Sequence, residues 1–191
     1  MDAATRAGDG LLFIRCLSRA QADGLCERHG AAVAIVNPGD AFVIGGGREA
    51  SSRIAEDARS MHGARMVALP VEVASHTERL AGASAVFREA LRLAPAVFPP
   101  RTGARILSGI DAAPVVSRET GLDKLAARIS QTVQWADCLQ ACVEAGATGF
   151  LELGPGHALS GMAVEIAPVR ALDDFRSLQG VRTWVRRHVS P

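Results

Sequence analysis

The run of elements over residues 10–73 constrains this chain most. "GLLFIRCL" is a short apolar run that reads as a strand, and "SRAQADGLCERHG" after it reads as a helix, with Ser18 placed to cap its start and Gly30 to stop it. "AAVAIVN" and "AFVIGGG" are two further strand-like runs joined by the turn residues "NPGD", a hairpin signature. "REASSRIAEDARSMHG" has the spacing of an amphipathic helix closed by Gly63, and "ARMVALPV" supplies a fourth strand. Short strands and helices in the order β-α-β-β-α-β predict a ferredoxin-like split arrangement. The expected small subdomain is residues 1–73.

The remainder, residues 74–191, has a different texture. "SHTERLAGASAVFREALRLA" predicts a helix; "VFPPRTGARILSGIDAAPV" predicts a proline-marked loop and then an apolar strand. "TGLDKLAARISQTVQWADCLQACVEAGA" predicts one or two helices ending at Gly146, and "TGFLELGPG" a strand running into a tight turn. "HALSGMAVEIA" opens a helix, and a short connection leads to a C-terminal amphipathic helix. Only two strands are visible in this half. A two-stranded parallel sheet leaves apolar faces open, so the half reads as part of a larger sheet, and the isolated chain is expected to self-associate or be poorly soluble.

Composition narrows function mainly by exclusion. With 21 basic and 20 acidic residues the formal net charge is +1, which offers no electrostatic case for nucleic acid or an acidic membrane. Six Phe, two Trp and no Tyr argue against stacking on bases or sugars as a main activity. The four cysteines, Cys16, Cys26, Cys138 and Cys142, form no C-x-x-C pair, and His29, His62, His157 and His188 show no ligand spacing, so neither a metal nor a bound cofactor is expected. No apolar run reaches the roughly 18 residues needed to span a bilayer. The amino end lacks the pattern of a signal peptide, and a reduced, cytoplasmic setting is expected.

His76, in "VEVASHTERL", admits two readings: a capped histidine satisfied by backbone, or a general base awaiting a nucleophile. Asn37, before Pro38, reads as a turn residue or as a polar group facing a cleft. Gly154 and Gly156 in "GPGHAL" allow positive φ and close backbone approach, with a following helix that favours an anion. "GGG" at 45–47 lacks the G-x-x-x-x-G-K-[ST] spacing of a phosphate loop and reads as a plain turn. Asp173 and Asp174 read as caps for the segment after them.

Four segments in order, "AIVNPGDAFVIGG", "LPVEVASH", "TVQW" and "FLELGPGHALSGM", resemble the C-terminal portion of malonyl-CoA:acyl-carrier-protein transacylases. The tail "VRALDDFRSLQGVRTWVRRH" is similar to the transacylase (epsilon) subunit of malonate decarboxylase. The resemblance implies an α/β fold in which the ferredoxin-like part precedes the C-terminal part of an α/β-hydrolase-like acyltransferase subdomain. It implies a Ser/His mechanism that moves a malonyl group from CoA, a substrate here, to the phosphopantetheine thiol of an acyl carrier protein. His76 is then the base, and the backbone carbonyl of Gln134 fixes its ring. Asn37, Ser75, Gly154 and Gly156 are placed near substrate, and the small Ser75 leaves room for a branched acyl group.

The G-x-S-x-G elbow that bears the family's nucleophile does not occur in these 191 residues. Its serine, the arginine for the malonyl carboxylate and the oxyanion donors are expected on a missing N-terminal part or on another malonate decarboxylase subunit, and the chain alone is expected to be inactive. The alternative is a non-catalytic ferredoxin-like interaction or regulatory module descended from such an enzyme.

Overall fold

The computed structural model describes residues 4–61, 63–95 and 104–188, which divide into two compact units, Met1–Cys138 and Leu139–Pro191. The expected proline-marked loop and His62 lie outside the described residues.

In the first unit, β1 (Asp9–Arg15), α1 (Arg19–His29), β2 (Ala32–Asn37), β3 (Ala41–Gly47), α2 (Arg48–Arg59) and β4 (Arg65–Ala68) follow in the order expected. The local reasons are those visible in the sequence. Ser18 and Gln21 form a reciprocal capping box at the start of α1, and Gly30 ends the helix at φ 68°, where a side chain would be strained. β2 and β3 form a hairpin, Asn37 opposite Ala41, whose turn places Gly39 and Asp40 at positive φ.

The sheet order is β4-β1-β3-β2-β5, in which antiparallel strands β4-β1-β3-β2 make the ferredoxin-like sheet. The fifth strand, β5 (Val133–Gln134), was not expected. It adds in parallel to β2, Ile35 opposite Val133 and Val36 opposite Gln134. Two residues are too few to show a strand period, so pairing alone makes this strand.

One sheet face packs on α1 and α2. Leu12, Ile14, Val33, Phe42 and Ile44 meet Ala22, Leu25, Cys26, Ile54 and Ala58 there, all buried. Every residue of β3 up to Gly46 is buried, so the strand is covered on both faces and its sequence shows no polar alternation. "GGG" is therefore the end of a central strand, where the sequence suggested a turn.

After β4 the chain passes a short 3-10 turn (Glu78–Leu80) into α3 (Ala81–Leu93), then reaches α4 (Arg118–Ala127), β5 and α5 (Trp135–Glu144). The apolar strand expected near residues 106–115 reduces to a single bridge, Leu107 with Pro114, as the segment turns back on itself at Asp111–Ala112. On α3, Val86 is 73% exposed and Leu93 82%.

The second unit holds β6 (Phe150–Glu152), α6 (Ala158–Ala163), β7 (Val169–Ala171) and α7 (Leu178–His188), with β6 and β7 forming a two-stranded parallel sheet. β7 lies where the sequence suggested only a connection. Among the described residues no helix is long and apolar enough to cross a membrane.

Candidate active site

The loop after β4 carries His76 across the sheet, and a glycine lets it come close. A Cβ built on Gly45 would lie 2.6 Å from Thr77 Cγ2 and 3.5 Å from the Ser75 carbonyl. Thr77 is buried and donates its hydroxyl to the Ala74 carbonyl at 2.7 Å. Leu80, fully buried, pins the following turn. Arg79 reaches back to Asp9, whose carboxylate is wholly buried, at 2.6 Å. The loop is thus fastened on both sides of the histidine.

His76 itself sits at φ 62°, an unusual conformation for a residue with a side chain. Such a backbone costs of order 1–3 kcal/mol and persists only where its surroundings dictate it. The end of α4 does so. A helix leaves its last carbonyls without intrahelical partners. Here the His76 N–H donates to the Ile129 carbonyl at 2.9 Å, the ring Nδ1 bonds to the Arg128 carbonyl, and the Ser84 hydroxyl donates to the Ala126 carbonyl at 2.7 Å.

The carbonyl that holds the ring is therefore that of Arg128, in place of Gln134. Gln134 lies in β5, where its N–H donates to the Gly109 carbonyl at 2.8 Å. Arg128 follows the last residue of α4, so its carbonyl is free to turn to the loop.

A carbonyl oxygen can only accept, so Nδ1 carries the proton and neutral His76 keeps its lone pair on Nε2. Nε2 has no protein partner among the described residues. Burial holds the imidazole below its usual pKa of 6.5, outweighing the upward pull of the Arg128 carbonyl, and the nearby Arg128 charge lowers it further. A neutral imidazole with one free basic nitrogen is the form a general base needs.

His76 lines a cleft of about 400 Å³, together with Gly30–Ala32, Gly45, Thr77–Arg79 and Ser130–Thr132. Ser75 is half-buried beside it in the chain, and Asn37 is buried at the end of β2. Neither lines this cleft.

In the second unit, Gly154 and Gly156 take φ 152° and 91°, as a tight turn after β6 requires. The anion site expected at the following helix is filled from within. The Glu152 carboxylate accepts from the N–H groups of Leu159 and Ser160 at 3.2 and 2.8 Å, and those bonds hold its pKa below the usual range. Asp173 accepts from the Gly156 N–H at 2.8 Å, and Asp174 meets His157 and the Ala171 N–H, each at 2.9 Å. These aspartates bind backwards to the turn and to β7, where the sequence suggested caps for the next segment.

Sequence reasoning missed Arg128 and the Asp9–Arg79 pair. A backbone acceptor has no residue signature, and 70 positions separate the members of the pair. The sequence presents Gly45 as turn material, although a glycine inside a strand is itself a sign of close approach.

The fold defined by these elements is that of FabD-like acyltransferases. The FabD structure from Acinetobacter baumannii superposes with a TM-score of 0.86 at 23% identity, covering 97% of this chain and 60% of that one. A malonyl-transacylase solved in complex with a type II polyketide synthase acyl carrier protein gives 0.83 at 23% identity, over 91% and 58%. No protein-family model matches the chain. In sequence it is 29% identical to the malonyl CoA-acyl carrier protein transacylase of Synechocystis over 123 residues, 60% of this chain and 40% of that one. It is 35% identical to the polyketide synthase GfsB of Streptomyces halstedii over 144 residues, 72% of this chain and 2% of that one. The chain is thus similar to malonyl CoA-acyl carrier protein transacylases, in fold over nearly all of its length and in sequence over part of it. The chain spans only 40% of the length of the Synechocystis transacylase.

Proposed function

We propose that this chain is the histidine-bearing portion of an acyltransferase that moves a malonyl group from CoA to the phosphopantetheine thiol of an acyl carrier protein. The observation that carries the reading is the His76 ring, fixed through Nδ1 by the Arg128 carbonyl and leaving Nε2 free in a cleft.

In this reading Nε2 takes the proton of a serine hydroxyl as the serine attacks the malonyl thioester, and the CoA thiolate leaves with a proton returned from the imidazolium. The carrier-protein thiol, its proton taken by Nε2, then attacks the acyl-serine, the Oγ–acyl bond breaks, and the serine oxygen leaves with that proton returned from the imidazolium. The Arg128 carbonyl stabilises the imidazolium at each stage by accepting from Nδ1–H, the role an aspartate plays in other triads. The serine and its oxyanion donors come from residues outside this sequence. The exposed apolar side chains on α3 and the two-stranded β6–β7 sheet are consistent with surfaces that another segment covers. The C-terminal segment through α7 favours the transacylase subunit of malonate decarboxylase within the family, with its other subunits as partners. Arg182, Arg186 and Arg187 on α7 offer a cationic face for an acidic carrier protein, whereas on α3 Arg88 is already paired with Glu119 and Asp123 and Arg92 with Glu89.

The test begins with the coding DNA ahead of Met1, read for an in-frame G-H-S-x-G. The native enzyme that contains this chain is then assayed for transfer of labelled malonyl to carrier protein. His76→Ala is expected to lower transfer by about 10²–10⁴-fold. Unchanged transfer removes His76 from the mechanism.

A further inference from the structure

A second cleft in the first unit, of about 270 Å³, lies between α4 and the segment 106–115. Its walls are apolar: Ile106, Leu107, Val115, Leu122 and Leu125. Gly121 keeps its walls close, since a Cβ there would meet Val115 Cγ1 at 2.8 Å. The charged groups on its lining are all cations, namely Arg118, Lys124 and Arg128. Two of them have partners. Arg118 donates to the Ala94 carbonyl at 3.0 Å, and Lys124 pairs with Asp111 at 2.8 Å. The Arg128 guanidinium meets no carboxylate among the described residues, and its Nε lies 3.4 Å from where a Gly109 Cβ would be. His76 does not line this cleft, and Arg128 does not line the other. Arg128 thus gives its carbonyl to one site and its side chain to the second.

We propose that this second cleft binds a small amphipathic carboxylate, with the aliphatic chain against Leu122, Leu125 and Val115 and the carboxylate on the Arg128 guanidinium. At about 270 Å³ the cleft is slightly smaller than the roughly 300 Å³ at which drug-sized ligand sites start, which limits it to a small ligand. Apolar walls ended by one unpaired cation select an anion carrying a short alkyl tail over either a neutral lipid or a hydrophilic anion. The planar guanidinium offers a carboxylate two parallel N–H donors. The proposal is independent of acyl transfer, because it involves neither His76 nor a nucleophile.

Octanoate is the probe, titrated into the native protein that contains this chain by calorimetry or ligand-observed NMR, with octanamide as its uncharged counterpart. Octanoate is expected to bind saturably and about tenfold or more tighter than octanamide, the value of one charge-assisted contact. Arg128→Gln keeps the backbone carbonyl on His76 and is expected to bring octanoate down to the level of octanamide. Equal binding of acid and amide by the unmodified chain, undiminished octanoate binding by Arg128→Gln, or no saturable binding at millimolar octanoate would each overturn the proposal.

Discussion

Replacing Gly45 by alanine tests how the histidine loop is held. The added Cβ would sit 2.6 Å from Thr77 Cγ2 and 3.3 Å from Leu11 Cδ2. A carbon–carbon contact relaxes at about 3.5 Å or more, so something must move by about 1 Å. The strand cannot move easily, since Gly45 is paired on both sides, with Leu11 of β1 and Ala32 of β2. Leu11 can turn its methyl aside. Thr77 cannot follow without breaking its hydroxyl bond to Ala74 and shifting the neighbouring His76. Overpacking of this kind costs about 1–3 kcal/mol. Alanine recovers about 0.4–1 kcal/mol by restricting the unfolded chain. The net expectation is a loss of about 1–2 kcal/mol, read as a lower urea midpoint at unchanged slope. Thr77→Ser removes the offending methyl and keeps the hydroxyl, at a cost of about 1 kcal/mol for a buried methyl. In that background Gly45→Ala fills the vacated space and should cost little. A double-mutant cycle therefore shows a favourable coupling of about 1 kcal/mol or more. If Gly45→Ala is equally costly with serine at position 77, or costless with threonine, the close-approach argument is wrong.

His76 should titrate below 6.5, because burial disfavours its charged form. The contribution runs in one direction: stability is full above the unfolded value, falls as pH drops through 6.5 and the lower folded value, and then levels off. The imidazole resonances and the pH dependence of the urea midpoint, each compared with His76→Gln, check both halves of that statement. Arg79→Leu leaves the Asp9 carboxylate buried without its cation and should destabilise by roughly 3 kcal/mol, measurable by denaturation. Ser18→Ala removes half of the capping box on α1 and should cost about 1 kcal/mol by the same measurement. Cys16 is exposed whereas the buried Cys26 thiol is pushed up to about 12, so a thiol reagent at neutral pH should modify Cys16 at once and Cys26 only after unfolding.

The sequence by itself determined the β-α-β-β-α-β order, because each boundary there is local chemistry. Ser18 with Gln21 starts α1, Gly30 stops it, and Pro38 to Asp40 turn the hairpin. His76 stands out in the sequence because the imidazole is a side chain with its own titration and a recognisable neighbourhood, and its role as base is the proposal made above. What holds His76 was not legible. Every residue has a carbonyl, and only the meeting of the end of α4 with the loop after β4 makes that of Arg128 the one available. β5 and β7 escaped for a related reason: strands of two and three residues carry no period, and each exists through a parallel partner, β2 for one and β6 for the other. Local signals are written in neighbouring residues, while acceptors, short strands and the Asp9–Arg79 pair depend on which distant segments folding brings within hydrogen-bond reach.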